Sequence, residues 1–224
     1  MRLAFFDLDR TLLSVNSGTL WVRRELALGN ISKRQAMRAM WWLARYQLGF
    51  ASGEAMVAEA VTHITGTSAK ALQARTDVFY ETEVRGTFRP GALEVVEHHR
   101  RAGDRLVMLT SSSHLLAERA ATELRFDAVR SNRLHVGPDG VHTGLIDGRV
   151  CFGEGKLAHA RAEAEAIGAS VEESAFYTDS FADLPVMEVV RTPVAVNPDP
   201  RLRRHAARRG WAIVDWGEPI ARVA

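Results

Sequence analysis

The chain has 224 residues, of which 46% are apolar and 25% charged, the composition of an ordinary folded protein and not of a disordered one. Its 29 Lys and Arg against 27 Asp and Glu leave a formal charge of +2, too small an excess to argue for a nucleic-acid partner despite a pI near 9.0. No apolar run reaches the roughly 18 residues of a membrane span, and Asp7, Asp9 and Arg10 interrupt what would otherwise be a signal sequence, so the chain reads as cytoplasmic.

The first element is Leu3-Ala4-Phe5-Phe6, a short apolar run that suits a strand buried on both faces. It ends abruptly in Asp7-Leu8-Asp9-Arg10-Thr11. Ligands of open parallel sheets bind beyond the carboxyl ends of the strands, so Asp7 and Asp9 stand where chemistry is expected. Two carboxylates gathered there repel each other unless a cation or a proton neutralises them, and a divalent metal is the simplest answer.

From Asn16 to about Arg85 the punctuation is helical. Asn16 or Ser17 can cap a helix that stops at Gly29. Ser32 with Gln35 forms a capping box for a second, to about Leu48 and Gly49. Ser52 can cap a third to Ile64, and Thr67 or Ser68 a fourth to Arg85. An insertion leaving the sheet directly after the first strand would sit over the site as a cap. The second helix carries Met37, Met40, Trp41, Ala44 and Leu48 at spacings of three and four, an apolar stripe expected to pack in the bundle, with Lys33, Arg34, Arg38 and Arg45 solvated. A second reading has Trp21, Trp41, Trp42 or Tyr46 lining a substrate cavity, or the basic face meeting an anionic surface.

After the insertion, Pro90 opens a helix that ends at Gly103. A second apolar run, Leu106-Val107-Met108-Leu109, ends in Thr110-Ser111-Ser112-Ser113, where hydroxyls and free N–H groups can receive an anion. Ser112 and Ser113 also suit helix capping, and Ser113 is read that way. A helix to about Leu124, a strand near Ala128 to Arg130 and a hairpin around Pro138-Asp139-Gly140 follow. His135 and His142 on that hairpin read as surface residues, since no third ligand stands at a metal spacing. Cys151 is single and reads as a structural thiol.

Lys156 lies in the first turn of the helix opened by Gly153-Glu154-Gly155, where it opposes the helix dipole, so something else is expected to hold it there. A third strand, Ser174 to Thr178, again ends in acid, with Asp179 and then Asp183 in DSFADLP. Thr192 to Val196 reads as a strand, Leu202 to Arg209 as a basic helix and Trp211 to Val214 as a last strand.

FDLDRT resembles the first motif, DxDx[TV], of the haloacid dehalogenase superfamily of phosphohydrolases and phosphotransferases. Thr110 matches its second motif, an apolar strand ending in Ser or Thr, and Lys156 its third. Asp179 and Asp183 match the fourth, usually GDxxxD, although Thr178 replaces the Gly. The resemblance covers nearly the whole chain and is closest to the phosphoserine-phosphatase-like branch, subfamily IB. It implies an α/β fold, a Rossmann-like parallel core at 1–15 and 86–224 with an inserted helical-bundle cap at 16–85.

It further implies a Mg²⁺-dependent phosphomonoesterase working on a small phosphorylated metabolite. Asp7 would be the nucleophile that forms an aspartyl-phosphate and Asp9 the acid and base. Asp7, Asp179 and the Asp9 carbonyl would hold Mg²⁺, with Asp183 orienting its waters. Thr110, Ser111 and Lys156 would bind the phosphoryl group. Arg10 stands where relatives often have Gly or Ser and could pair with the cap or touch substrate. Asn16 stands near a Glu that binds the substrate ammonium in phosphoserine phosphatases, and no Glu occurs between Thr11 and Arg24, which puts phosphoserine in doubt. Histidinol phosphate, another small monoester, a membrane lipid phosphate, and phosphoryl transfer to an alcohol remain open, as does the oligomeric state.

Overall fold

The computed structural model describes residues 2–47 and 53–219. Six parallel strands form one sheet: β1 (Leu3–Phe6), β2 (Arg105–Ser113), β3 (Ala128–Asn132), β6 (Ala175–Thr178), β7 (Thr192–Val196) and β8 (Ala212–Val214), in the order β3-β2-β1-β6-β7-β8. β1 is completely buried and pairs with β2 through Phe6 and Met108 and with β6 through Phe6 and Tyr177. The chain winds to one side of β1 and then to the other, so the switch point of the sheet lies at the ends of β1, β2 and β6.

Alternation across the strands splits the core into two layers. Ala4, Phe6, Leu106 and Met108 face one side with Val96 of α5 (Pro90–Arg101) and Ala117 of α6 (His114–Glu123); Leu3, Phe5, Val107, Leu109 and Phe176 face the other with Ala160 of α7 (Glu154–Ala166) and Leu202 of α9 (Pro200–Arg209). Pro200 stands in the first turn of α9, and Asp199 caps it by accepting from Arg201 N and Leu202 N at 2.7 and 2.9 Å. A four-residue helix, α8 (Leu184–Met187), follows the acidic loop.

The insertion after β1 is helical: α1 (Ser17–Ala27), α2 (Lys33–Gln47), α3 (Gly53–Thr62) and α4 (Ala69–Phe79), which continues through a wider turn at Tyr80–Val84. Asn16 is the cap of α1, its side chain accepting from Thr19 N at 2.9 Å. Ser32 and Gln35 bond side chain to backbone in both directions, and Ser68 caps α4. The expected helix end at Leu48 and Gly49 and the Ser52 cap lie outside the described residues. The expected stripe on α2 packs inward only in part: Met37 is 65% and Trp41 53% exposed, while Ala36 is buried. The small alanine permits close approach to the neighbouring helices α1 and α3, and Met40 and Trp42 line a cavity under the insertion. Leu48 and the side chains of Ala44 and Tyr46 lie outside the described residues.

Strands β4 (Leu134–Val136) and β5 (His142–Ile146) form the expected hairpin, which belongs to neither edge of the main sheet. It is stitched to the cap: Gly66 N donates to the His142 carbonyl at 2.8 Å, His142 N to Thr67 at 2.9 Å and Ala69 N to Gly140 at 3.0 Å. His142, expected at the surface, is therefore only 1% exposed. His135 stays on the outside and pairs with Asp147 at 2.6 Å. Cys151 is buried as a free thiol and pushed up to about 12 by that burial. No described helix is long and apolar enough to cross a membrane.

Candidate active site

The backbone leaves β1 at Asp7 and turns sharply, with Leu13 N bonded to the Leu8 carbonyl at 2.9 Å and Arg10 at φ 57°. That left-handed value is uncommon for a side chain with a Cβ and marks a conformation held by its surroundings. Arg10 N is bonded to Val15 O at 2.9 Å, and its guanidinium forms no ion pair among the described residues. It lines the cavity, and its charge offsets only part of the burial-driven rise in the Asp179 pKa.

Asp7 is buried and accepts from Lys156 Nζ at 2.8 Å. Lys156, 2% exposed, also donates to Asp183 Oδ2 at 2.8 Å. This is what holds a lysine in the first turn of α7. Burial opposes its charge, but Asp183 and Asp7 more than reverse that and hold the ammonium above its ordinary value. Asp7 is pushed up to about 6, first by burial, with Lys156 pulling the other way. Asp179 lies well above the usual carboxylate range, again from burial first and then from the charges of Asp7 and Asp183. The group of acids is thus short of positive charge.

Asp179 is oriented by Thr11, whose Oγ accepts from Asp179 N at 3.0 Å and donates to Asp179 Oδ1 at 3.5 Å. Thr178, the departure from the usual glycine, donates to Asp183 Oδ2 at 2.6 Å. The Asp9 carboxylate points elsewhere: Oδ1 accepts from Ser17 N at 2.6 Å and Oδ2 from Ser112 Oγ at 2.7 Å. It joins the start of the cap to the end of β2. Thr110 and Ser111 lie within β2, which extends to Ser113, so the hydroxyl run is strand and not the start of a helix. Ser113 precedes α6 but forms no side-chain cap bond, contrary to expectation.

Three residues outside the expected set hold the site together. Ser112 binds Asp9, as above. Asn132, 1% exposed, donates to Ser111 O at 2.6 Å and accepts from Cys151 N at 2.8 Å, tying the end of β2 to the approach to α7. Asp199 accepts from Phe181 N at 2.7 Å and donates its own N–H to Asp179 O at 2.8 Å, fixing the acidic loop. The DxDxT turn, Thr110, Ser111, Lys156, Asp179 and Asp183 all converge on one cavity of about 1120 Å³ beneath the cap.

Among the described residues no three His, Cys, Asp or Glu side chains are placed to hold a metal together. Both Asp9 carboxylate oxygens are bonded to Ser17 and Ser112, and Asp183 Oδ2 to Lys156 and Thr178. Two carboxylates, Asp7 and Asp179, remain, and they are buried, acid-weakened and all-oxygen, a donor set that fits a hard cation supplemented by a main-chain carbonyl and waters.

The chain resembles known proteins in sequence and in fold. The chain is 31% identical over 225 residues to phosphoserine phosphatase SerB1 of Mycobacterium tuberculosis, covering 99% of this chain and 72% of that one. It is 26% identical to the histidinol-phosphatase of Neisseria meningitidis serogroup C, covering 96% and 98%. A crystal structure of a protein with unknown function from Bordetella pertussis Tohama I superposes with a TM-score of 0.87 at 30% identity, covering 96% of this chain and 98% of that one. The family model for haloacid dehalogenase-like hydrolases matches residues 4–188, and the chain belongs to that family, as an enzyme of its hydrolase and phosphatase class.

Proposed function

We propose that the protein is a Mg²⁺-dependent phosphomonoesterase that works on a small phosphorylated substrate through a phosphoryl group carried on Asp7. The observation that carries this reading is the buried bridge from Lys156 to both Asp7 and Asp183, with Asp179 alongside, at the switch point of a parallel sheet. Residues 16–85 act as the cap and 1–15 with 86–224 as the catalytic core.

Asp7 attacks phosphorus in line with the leaving alcohol, forming the acyl phosphate as the P–O bond to the alcohol breaks. Lys156, Thr110 and Ser111 bind the phosphoryl oxygens, and Lys156 also keeps Asp7 ionised and aimed. Asp9 gives its proton to the departing oxygen and then takes one from the water that attacks the acyl phosphate. Its partners suit this exchange. Ser17 N–H can only donate, so Asp9 Oδ1 stays an acceptor, whereas the Ser112 hydroxyl can turn from donor to acceptor and let Oδ2 carry the proton. Asp7, Asp179 and the Asp9 carbonyl would hold Mg²⁺, with Asp183 as support, and the ion would neutralise charge developing on the phosphoryl oxygens.

Histidinol phosphate and phosphoserine are candidate substrates on the strength of the relatives' names. The test is phosphate release from p-nitrophenyl phosphate and a panel of small monoesters, with and without Mg²⁺, beside Asp7→Asn. Release that needs both supports the reading. Equal release by Asp7→Asn contradicts it.

A further inference from the structure

The catalytic groups occupy one end of a chamber whose volume, about 1120 Å³, exceeds the roughly 300–1,000 Å³ of ordinary small-molecule sites. The rest of the wall is largely apolar. Trp21 of α1, Val61 of α3, Ile64 just beyond it, Leu72 and Phe79 of α4 and Leu115 of α6 line it. Val61, Leu72 and Leu115 belong to one apolar cluster, against which Trp21 and Ile64 pack, and Trp21 meets Phe79 edge to face at 5.2 Å between ring centres.

Most polar side chains on the cap side have partners within the protein, although Glu59 Oε1 and His63 Nε2 form no hydrogen bond among the described residues. Asn16 accepts from Thr19, and the Thr76 hydroxyl donates to the Leu72 carbonyl at 2.9 Å. Glu59 is held by Arg38 at 2.6 Å, with His63 at 3.3 Å. Asp199 is saturated by N–H groups of Phe181, Arg201 and Leu202. Beyond the catalytic acids, the described carboxylates that line the chamber are Glu59, already ion-paired with the Arg38 guanidinium, and Asp199, already bonded to three N–H groups. A ligand filling this space gains by burying apolar surface, whereas a charged amine would lose its water without a counter-charge.

We propose that the substrate is an amphiphilic phosphomonoester: its phosphate meets Asp7 and Lys156, and its alcohol carries an extended apolar group that lies in the chamber under the cap. This rests on the phosphatase reading and narrows it away from phosphorylated amino acids and amino alcohols.

The test separates the two claims. In the presence of Mg²⁺, the full chain is titrated calorimetrically with ethylphosphonate and octylphosphonate, which cannot be turned over, while p-nitrophenyl phosphate turnover is followed separately. Octylphosphonate, with six more methylenes, is expected to bind at least about 100-fold more tightly, short of the roughly fourfold per methylene of complete burial. Ile64→Ser, at a half-buried position, is expected to shrink that ratio, with thermal unfolding confirming a folded protein. Equal affinities for the two phosphonates, or phosphoserine as the monoester of highest kcat/KM, overturn the proposal. Tight octylphosphonate binding without Asp7-dependent turnover would instead remove the phosphatase reading and leave an amphiphile-binding chamber.

Discussion

Thr178 Oγ donates a 2.6 Å hydrogen bond to Asp183 Oδ2, the same oxygen that receives Lys156 Nζ at 2.8 Å. The hydroxyl that replaces the family's usual glycine thus fixes the acid that shares Lys156 with Asp7. Thr178→Val keeps the shape and removes the donor. A loss of about 10–100-fold in kcat or Mg²⁺ affinity is expected, with Thr178→Ser recovering most of it. Steady-state kinetics on the three proteins checks this; an unchanged Thr178→Val enzyme would mean that Asp183 needs no such support.

Mg²⁺ binding is expected to weaken on acidification. Asp7 is pushed up to about 6 and Asp179 is also raised, so protons compete with the cation for the same oxygens. Titration calorimetry should show affinity falling as pH drops through about 6, with proton release on binding at that pH. Affinity constant from pH 7.5 to 5 would exclude these two carboxylates as the ligands.

Gly155 is required by packing rather than by its dihedral angles. A Cβ there would fall well inside contact distance of the Val150 carbonyl oxygen, which is backbone and cannot swing away. Gly155→Ala should therefore displace the start of α7 and, with it, Lys156. The expected cost is about 1–3 kcal/mol of stability by denaturant melt, together with a fall in kcat.

His99 predicts a second pH effect, on stability alone. It is buried on α5 between Asp104 at 2.6 Å and the Tyr177 hydroxyl at 2.7 Å. Burial holds it below its ordinary value of 6.5, although Asp104 pulls upward. The unfolded chain therefore takes up its proton first, so the contribution is intact above about pH 6.5 and is lost as pH falls. Urea midpoints should drop over that range in the wild type, and His99→Gln should lack this component.

The sheet, the acids and Lys156 were legible because each follows a short apolar run or a helix start, signals that are local in sequence. The partners were not. Ser112 meets Asp9 across 103 positions, Asn132 reaches Ser111 across 21, and Thr11 meets Asp179 across 168. Only the fold brings these together, and a Ser or Asn in a turn-rich stretch looks the same whether it caps a helix or anchors a carboxylate. His142 was misplaced for the same reason: alternation along a hairpin tells which residues share a face, but not that the cap covers that face. On α2 the apolar spacing was real, yet Ala36 is buried while Met37 and Trp41 stay exposed, because helix contact favoured the smaller side chain.

The central claim is that Asp7 carries the phosphoryl group during turnover. The most direct measurement is to quench the enzyme during turnover of p-nitrophenyl phosphate with Mg²⁺, reduce with borohydride and locate the modified residue by peptide mass spectrometry. Reduction of an acyl phosphate converts the aspartate to homoserine, so homoserine at position 7, absent without substrate and absent in Asp7→Asn, is the predicted result. Turnover with an unmodified Asp7, or with the label on another residue, would contradict the account.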